Sequence, residues 1–463
     1  MDSKQSLMLG QMDIPKLLFK LSLPATIAMF ANALYNLVDT LFLAWGVGEI
    51  AIGALSIVSP LQTIIFAVGL MIGIGGASVY SRAFGRGDDK TMKKVVNTAL
   101  FFNGVLALVL TIIGLVFIED ILYLFGATAS NIDYARDYMF YILISLVPFT
   151  SSLVLNNLVR AEGRANVAMI SLLIGALSNI ILDPIFIYDW GFGLGVAGAA
   201  IATLISKVLM FIYVLRACLS KTSTLKIDQT ALYQLDPKML KEVIVIGIPT
   251  FVRNSLVAFM FIAVNHVINR YAPGDPAIYI SVFGVINRII MFLLLPGFGL
   301  VQGMIPIVGF NFGANKYDRL HQTVKLSTKF LVIYFILSGI IMYVFAGPLF
   351  MIFTRDNDPT FIALGKEAFR WIPLGFSILA FQFIMSSVYQ AVGYPVRAFV
   401  VALSRQLIIF LPVLYIITPI FGITGVWISF ALADGLSGLI SLFLYLYEMK
   451  IFKKKHDLNL QMA

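Results

Sequence analysis

Residues 21–45 read LSLPATIAMFANALYNLVDTLFLAW, and this stretch decides the fold. Its first eighteen residues, Leu21 to Val38, carry no charge, and the apolar pattern continues past Asp39 to Trp45. A helix of this length can cross the roughly 30 Å hydrocarbon core of a bilayer. The stretch therefore predicts a transmembrane helix with a carboxylate about 29 Å beyond Lys20, in the far half of the membrane.

A carboxylate at that depth needs an explanation. Inserting a charge at the centre of a spanning helix costs roughly 2.5 to 3.5 kcal/mol on insertion scales, so such residues usually serve a function or have a partner. Two interpretations of Asp39 follow from the sequence: a site for a coupling ion, or a carboxylate paired with a structural cation.

The rest of the chain has the same composition. Of its 463 residues, 60% are hydrophobic and only 12% are charged, against about 25% in a soluble domain. Apolar runs recur from end to end, which predicts an all-α polytopic membrane protein without a sizeable soluble domain. One cysteine, Cys218, and three histidines argue against a disulfide, zinc or haem. We expect no removable signal peptide and no cofactor other than a coupling ion.

Apolar runs and their breakers predict about twelve spans. They lie at roughly 15–45, 51–81, 92–118, 133–159, 166–189, 195–219, 238–271, 276–310, 319–346, 360–390, 397–420 and 422–450. Lys and Arg concentrate in every second turn, for example 82–94, and in the tail at 451–463, whereas the other turns carry mainly acids. This asymmetry predicts that both termini are cytoplasmic in a multi-pass cell-membrane protein. It also explains the net charge of +9 without a nucleic-acid partner.

The two halves of the chain repeat each other. The polar connection 220–237 separates a first lobe, 1–219, from a second lobe, 238–450. The matched residues, each pair 225 to 230 positions apart, are Pro24 and Pro249, Gly75 and Gly303, Gly85 and Gly313, Gly163 and Gly393, and Gly195 and Gly422. Because each lobe has an even number of spans, the repeats share one orientation, as in transporters that rock one lobe against the other. A channel or a structural bundle is the alternative that such a repeat leaves open.

A second acid, Asp183, accompanies Asp39. It follows the uncharged run from Val167 to Leu182 and lies in the outer half of the fifth span. Polar residues three or four positions before each acid lie on the same helix face as that acid; they are Tyr35, Asn36 and Asn179. Thr203 on the sixth span adds a hydroxyl. Pro184 frees the carbonyl of Ile180. The set fits either a proton-binding carboxyl pair or an oxygen site for Na⁺; a capping or kinking role for Asp183 is the structural alternative.

The second lobe lacks these acids. Asp39 corresponds to Val264 or Asn265 and Asp183 to Leu411, although Pro412 matches Pro184. We therefore expect ion coupling to reside in the first lobe. The second lobe is expected to bury a set of polar residues instead: Arg253, Asn265, His266, Asn287, Arg288, Gln382, Gln390 and Asp434. Their roles stay open; examples are a salt bridge between Arg288 and Asp434 and a pH switch at His266.

Several motifs in this order resemble the multidrug and toxic compound extrusion (MATE) family. They are YNLVDT at 35–40, LVRAEGR at 158–164, SNIILDP at 178–184, GVAGAAIAT at 195–203, and the eighth-span run from Pro296 to Gly313. The resemblance implies a V-shaped pair of six-helix lobes that exports cationic or amphipathic compounds in exchange for H⁺ or Na⁺. It implies coupling residues at Asp39, Asn179, Asp183 and Thr203, with Tyr35, Tyr138 and Asn156 nearby, and bending at Pro24.

The sequence thus leads to one hypothesis and two alternatives. The hypothesis is a monomeric secondary antiporter in which ion uptake at Asp39 and Asp183 bends the first helix, with Pro24 and Pro184 as hinges. A flippase for lipid-linked oligosaccharides would require more cationic residues in the first-lobe cavity and commonly two further spans. An intramembrane enzyme would require a nucleophile with a base, or a metal set, and no such constellation is visible. No Walker-type loop is present either, so nucleotide is not the energy source.

Overall fold

The computed structural model describes residues 4–128, 131–227, 236–354 and 358–462, and the regular elements in these ranges are helical. Among the described residues, eleven helices are long and apolar enough to cross a membrane, and a bent pair of shorter helices makes a twelfth span. The predicted all-α polytopic fold with about twelve spans is confirmed. Residues 228–235 of the predicted connection at 220–237 lie outside the described residues.

The helices of the first half are α1 (Lys4–Gln11), α2 (Ile14–Gly46), α3 (Glu49–Arg86), α4 (Asp89–Val116), α5 (Ile118–Leu124), α6 (Ile132–Ile144), α7 (Leu146–Ala161), α8 (Ala165–Ile187) and α9 (Gly195–Cys218). Those of the second half are α10 (Pro237–Tyr271), α11 (Pro276–Gly313), α12 (Tyr317–Val344), α13 (Ala346–Met351), α14 (Pro359–Trp371), α15 (Phe376–Val392), α16 (Pro395–Leu403), α17 (Leu411–Phe421) and α18 (Thr424–Met462). A 3-10 helix, Ile372–Gly375, precedes α15, and a π-helix, Ser404–Phe410, joins α16 to α17.

Predicted and observed spans agree to within several residues at most ends, and the largest difference is at the last one. The twelfth span was predicted to end at 450, whereas α18 continues to Met462, so the basic segment after 450 is helical. We call the side of the bundle where α2 begins and α3 ends the basic end, because Arg82, Arg86 and Lys90 lie there. The opposite side is called the far end.

Turn chemistry explains where several helices begin and end. Asp88 precedes α4 and its carboxylate accepts a hydrogen bond from the backbone N–H of Thr91 at 3.0 Å, which satisfies one of the free donors of the first turn. Gly163 and Gly393 follow α7 and α15 and adopt left-handed conformations, with φ of +89° and +81°. These two glycines are a predicted repeat pair, so the two halves use the same turn at the same place.

The fourth span is bent. Helices α6 and α7 meet at an angle of 48° around Ser145. Pro148 lies in the first turn of α7 and has no N–H to donate to the carbonyl of Ile144, which accounts for the break. The bend lets the fourth span contact both α3 and α9 along its length.

The two halves meet at the basic end through glycines, and we call this interface the seam. A Cβ atom on Gly85 would lie 2.0 Å from the carbonyl oxygen of Phe310, and one on Gly313 would lie 2.0 Å from that of Arg82. Arg82 and Phe310 are 228 positions apart, as are Gly85 and Gly313. The two contacts are therefore copies of each other, as in a self-complementary interface around a two-fold axis.

Helix α1 lies across the seam. The carbonyl of Leu9 accepts hydrogen bonds from Asn311 Nδ2 at 3.2 Å and Arg319 at 3.3 Å, and the carbonyl of Gly10 accepts one from Lys316 Nζ at 3.0 Å. These three donors belong to the second half. A Cβ on Gly163, in the first half, would lie 2.9 Å from the Met8 side chain, so α1 packs against both halves.

Candidate functional site

The structure brings Asp39 and Asp183 together. Asp39 lies on α2, about 10 Å before its far end, and Asp183 lies on α8, about 6 Å before its far end. Both side chains are buried, with 6% and 0% of their surface exposed. Their carboxyl groups are within hydrogen-bonding reach of each other. We call these two residues the acid pair.

Asn179 and Thr203 join the acid pair in one network. The Nδ2 group of Asn179 donates to Asp183 Oδ1 at 3.0 Å and to Thr203 Oγ1 at 3.1 Å. The first contact follows from the four-residue spacing on α8, which places the two side chains one helical turn apart on the same face. The second joins α8 to α9, and both residues are buried.

Three oxygens of this network lack a hydrogen-bond donor. They are Asp39 Oδ1, Asn179 Oδ1 and Asp183 Oδ2, each buried and without a partner among the described residues. Buried polar atoms are nearly always satisfied, and an unsatisfied one costs about 1–3 kcal/mol. Ionised carboxylates accept hydrogen bonds but cannot donate them. Three open acceptors at one place therefore fit a proton or a cation.

The donor set selects the kind of cation. Two carboxylates, one amide oxygen and one hydroxyl are hard oxygen ligands, which suit Na⁺ or H⁺ rather than a transition metal. In the described part of the chain, no group of three or more His, Cys, Asp or Glu side chains is placed to bind a metal. Asp39, Asn179, Asp183 and Thr203 are the residues that would bind Na⁺.

Two tyrosines lie beside the acid pair. The Tyr35 hydroxyl on α2 is within hydrogen-bonding reach of Thr203 and lies in the electrostatic range of both acids. Tyr138 on α6 is buried, interacts with Asp39 and Tyr35, and accepts a hydrogen bond from Gln62 Nε2 at 3.4 Å. The tyrosines thus border the network.

Asn36 and Asn156 are not brought into the network. Asn36 is exposed, and its amide donates to the carbonyl of Asn32 on its own helix at 2.7 Å. Asn156 is buried and donates to Ser171 Oγ at 3.3 Å, and Ser171 precedes Asn179 by about 12 Å along α8. Within the described part of the chain, neither Asn36 nor Asn156 forms a hydrogen bond with Asp39 or Asp183.

A lysine near the acid pair was not among the predicted site residues. Lys207 lies halfway along α9, one turn beyond Thr203, and interacts electrostatically with Asp39. Its Nζ lies 4.3 Å from the centre of the Phe149 ring. The signal was visible in the sequence, since Lys207 is the one basic residue between Gly195 and Arg216 and follows Thr203 by four positions.

The predicted hinge Pro24 lies in the part of α2 that packs on the second half. A Cβ on Gly303 of α11 would lie 2.3 Å from Ser22 Oγ, and one on Gly299 would lie 2.7 Å from the Cα of Thr26. Ser22 Oγ also donates to the carbonyl of Leu300 at 3.3 Å. The seam therefore includes the α2 residues on both sides of Pro24.

The far end of α2 packs instead on the first half. The Tyr188 hydroxyl donates to the carbonyl of Phe42 at 3.3 Å, and a Cβ on Gly46 would lie 2.5 Å from Ile187. Pro184, the other predicted hinge, lies inside α8 next to Asp183. Helix α2 is thus shared: its basic-end part rests on α11, and its far-end part, with Asp39, rests on α8.

The second half corrects two expectations. Asp434 does not pair with Arg288; its Oδ1 accepts a hydrogen bond from Arg405 Nε at 2.5 Å, because the π-helix of the eleventh span turns Arg405 toward α18. Arg288 and His266 are exposed rather than buried. Burial holds for Asp434 and for Gln390, which donates to Thr250 Oγ1 at 2.9 Å, while Arg253 is half-buried.

Comparisons with known proteins agree with this architecture. The sequence profile of the MatE family matches residues 24–185 and again residues 249–416. The two matches begin at Pro24 and Pro249, a predicted repeat pair. The multidrug export protein MepA of Staphylococcus aureus is 27% identical over 92% of both chains, and that of Staphylococcus haemolyticus is 26% identical over 96% of both.

The fold also occurs among solved structures. The outward-facing conformation of a multidrug resistance MATE family transporter superposes with a TM-score of 0.90 at 24% identity, covering 97% of this chain and 99% of that one. The double match to the family profile covers well over half of the chain, and its first segment contains both members of the acid pair. The chain therefore belongs to the MATE family of transporters.

Proposed function

We propose that this chain is a secondary active exporter that exchanges H⁺ or Na⁺ for cationic or amphipathic small molecules by alternating access. Membership of a transporter family makes it a transporter and not an enzyme. The observation that supports ion coupling is the acid pair, in which two buried carboxyl groups interact with each other while three oxygens of the network lack donors.

The acid pair has a reason to bind a cation. Two ionised carboxylates in contact repel each other strongly where the dielectric constant is low, unless a proton or cation lies between them. Asn179 and Thr203 add two more oxygens to the same place. Because both acids lie within about 10 Å of the far ends of their helices, the ion enters from the far end.

Helix α2 gives ion binding a route to a change of shape. Its far-end part carries Asp39 and packs on α8, while its basic-end part packs on α11 through Ser22 and Thr26. A change of charge at Asp39 alters the fit of α2 to α8, and the contacts with α11 pass that change to the second half. Pro24 lies within the basic-end contact region, between Ser22 and Thr26, and lacks the N–H of a regular helix, so we place the bend there.

One ion supplies enough energy for useful export. Exchange of one monovalent ion for one monovalent cationic drug moves no net charge across the membrane, so the concentration gradient of the ion supplies the energy. A tenfold ion gradient releases about 1.4 kcal/mol, which supports a drug gradient of about tenfold. The MepA relatives carry the name multidrug export protein, and we extend small-compound export to this chain.

The orientation belongs to the same proposal. Basic residues concentrate at the end of the bundle where both described termini lie, so we place that end in the cytoplasm and the far end outside the cell membrane. The ion then moves inward down its gradient as the drug moves outward, and we expect a single chain to suffice.

Flux measurements in proteoliposomes test the proposal. Wild-type protein is expected to move a fluorescent organic cation such as ethidium only when a pH or Na⁺ gradient is imposed. Asp39→Asn and Asp183→Asn should each lower that flux at least about tenfold, within the range of coupling between two sites. Asp133→Asn serves as the control, since Asp133 is an exposed acid at the far end.

Two results would contradict the proposal. One is an Asp39→Asn protein that inserts normally and exports the dye as fast as wild type. The other is gradient-independent movement of a lipid-linked diphosphate, which would favour the flippase alternative. Lys207 is a cationic residue of the kind a flippase needs, but it lies in the field of Asp39 and the local charge of the ionised site stays negative.

A further inference from the structure

Lys207 lies at the middle of the membrane and within reach of the ion site. It is twelve residues into α9, a helix of 24 residues, so its Cα lies about 18 Å from either end. A charged side chain at that depth is costly, and such residues usually pair or line a functional cavity. The position of Lys207 therefore indicates that its charge has a partner or a function.

The surroundings of the ammonium group are defined by four helices packed on α9. The titratable groups that they bring to this region are Asp39 and Tyr35 from α2, Asp183 from α8 and Tyr138 from α6. The remaining helix, α7, contributes an aromatic ring rather than a charge.

The ammonium group lies over that ring. Its Nζ is 4.3 Å from the centre of Phe149, which is close enough for a cation–π interaction, and Phe149 stacks on Phe66 of α3 at 6.4 Å. No hydrogen bond or ion pair within 4 Å joins Lys207 to another residue of the described chain. The side chain is half-buried.

We propose that Lys207 is a tethered positive charge that sets how many coupling ions are needed to release a cationic drug. This inference rests on the proposed function. Two ionised acids and one ammonium leave one net negative charge, which attracts a monovalent organic cation. One H⁺ or Na⁺ at the acid pair brings the site to neutrality and removes that attraction.

Without the lysine the balance changes. The ionised acid pair alone carries two negative charges, and one bound ion leaves one of them in place. A cationic drug would still be attracted after the ion had bound, because the site would keep the net charge that the ion-free wild-type site has, and one ion would not be enough to release the drug. Lys207 thus makes exchange of one ion for one monovalent drug possible without any direct contact between Lys207 and the drug.

Binding measurements on the purified full chain in lipid nanodiscs test this inference. The probe is radiolabelled tetraphenylphosphonium, a monovalent lipophilic cation, and its Kd is measured with and without saturating Na⁺ and at pH 8 and pH 5.5. In wild type, the coupling ion is expected to raise Kd about tenfold. In Lys207→Met, binding without ion should be about tenfold tighter than in wild type, and the Kd measured with the ion should stay near that of ion-free wild type.

Matched variants separate charge from shape. Lys207→Arg keeps the charge and should keep the wild-type response to the ion. Lys329→Met removes a lysine from the spanning helix α12, where Lys329 is exposed, and should change nothing. If Lys207→Met is not monodisperse, Lys207→Gln replaces it, because it also lacks the charge and retains a polar end.

The outcomes distinguish the two proposals. A Lys207→Met protein whose Kd with the ion bound equals that of wild type with the ion bound overturns the inference and leaves antiport intact. A wild-type protein whose Kd responds to neither ion overturns the proposed coupling itself, and the role of Lys207 with it. A Lys207→Arg protein that binds the probe as tightly as Lys207→Met would also overturn the inference, because a charge at this position would then not be sufficient.

Discussion

Replacing Gly299 by alanine is expected to drive the two halves apart at the basic end. Gly299 lies on α11, where that helix crosses α2, and a Cβ there would lie 2.7 Å from the Cα of Thr26 and 2.0 Å from its Oγ1. The hydroxyl can rotate away, although it would give up its 3.0 Å hydrogen bond to the carbonyl of Ser22. The backbone cannot move without separating the helices.

The structure sets the size of the effect. Ordinary contacts of a Cβ begin at 3.4 Å, so the crossing must open by about 0.7 Å at the Cα of Thr26. Overpacking of this kind costs about 1–3 kcal/mol. In alternating access only the conformation closed at the basic end bears this cost, because the other conformation separates the crossing. The equilibrium between the two should therefore shift about 5–150-fold away from the structure described here.

Spin labels can report this shift. Leu124→Cys and Ile352→Cys place labels at the far ends of the two halves, on side chains that are 82% and 75% exposed, and the native Cys218 is buried. Gly299→Ala should increase the population with a short distance between the labels.

Gly284→Ala is the matched control for this experiment. It lies on the same helix with no atom within 4 Å of the added Cβ, and should not shift the population. Equal distance distributions in the Gly299→Ala and Gly284→Ala proteins would refute the reasoning.

Two further predictions concern stability. Arg405→Met leaves Asp434 buried without its partner and should lower the free energy of unfolding by about 3 kcal/mol, measured in detergent, whereas exposed Arg288→Met should have little effect. Glu162→Gln replaces one of the two buried carboxylate oxygens that accept hydrogen bonds from Ser223 and Thr224 by an amide group that can only donate, so limited proteolysis at 219–227 should become several times faster. An unchanged cleavage rate would show that this carboxylate does not anchor the connection.

The number of spans and the repeat could be predicted because both depend on local properties of the chain. Bilayer thickness sets the length of an apolar run, so even the bent fourth span was recognised as 133–159 without knowledge of its break at Ser145. The repeat was visible because backbone geometry demands glycine at the same places in each half, as the left-handed Gly163 and Gly393 illustrate.

The side of a helix on which a polar side chain lies, buried or exposed, was harder to predict. His266 and Arg288 were expected to be buried because they interrupt apolar runs, yet both are exposed. In a transporter the accessible surface of a spanning helix includes the wall of an aqueous cavity, so a polar residue can face water at any depth. The partner of Asp434 was missed for a related reason: a π-helix adds a residue to the turn and redirects the side chains that follow.

The two acids of the candidate site could be predicted from the sequence, but the net charge of the site could not. Asp39 and Asp183 stood out because a carboxylate is rare in an uncharged run. Lys207 belongs to a run of the same kind, but the basic residues expected to be buried inside spans were Arg253 and Arg288 of the second lobe. The sequence of one spanning helix does not tell which neighbouring helix a lysine faces. The electrostatic interaction of Lys207 with Asp39 depends on the packing of α9 against α2 and α7.

The position of α1 has a practical consequence for work on the purified protein. The carbonyls of Leu9 and Gly10 are bound by side chains of one half, and Met8 rests against Gly163 of the other. Helix α1 therefore joins the two halves. An affinity tag or fluorescent reporter placed just before Lys4 would disturb these contacts, so such fusions are better attached after α18.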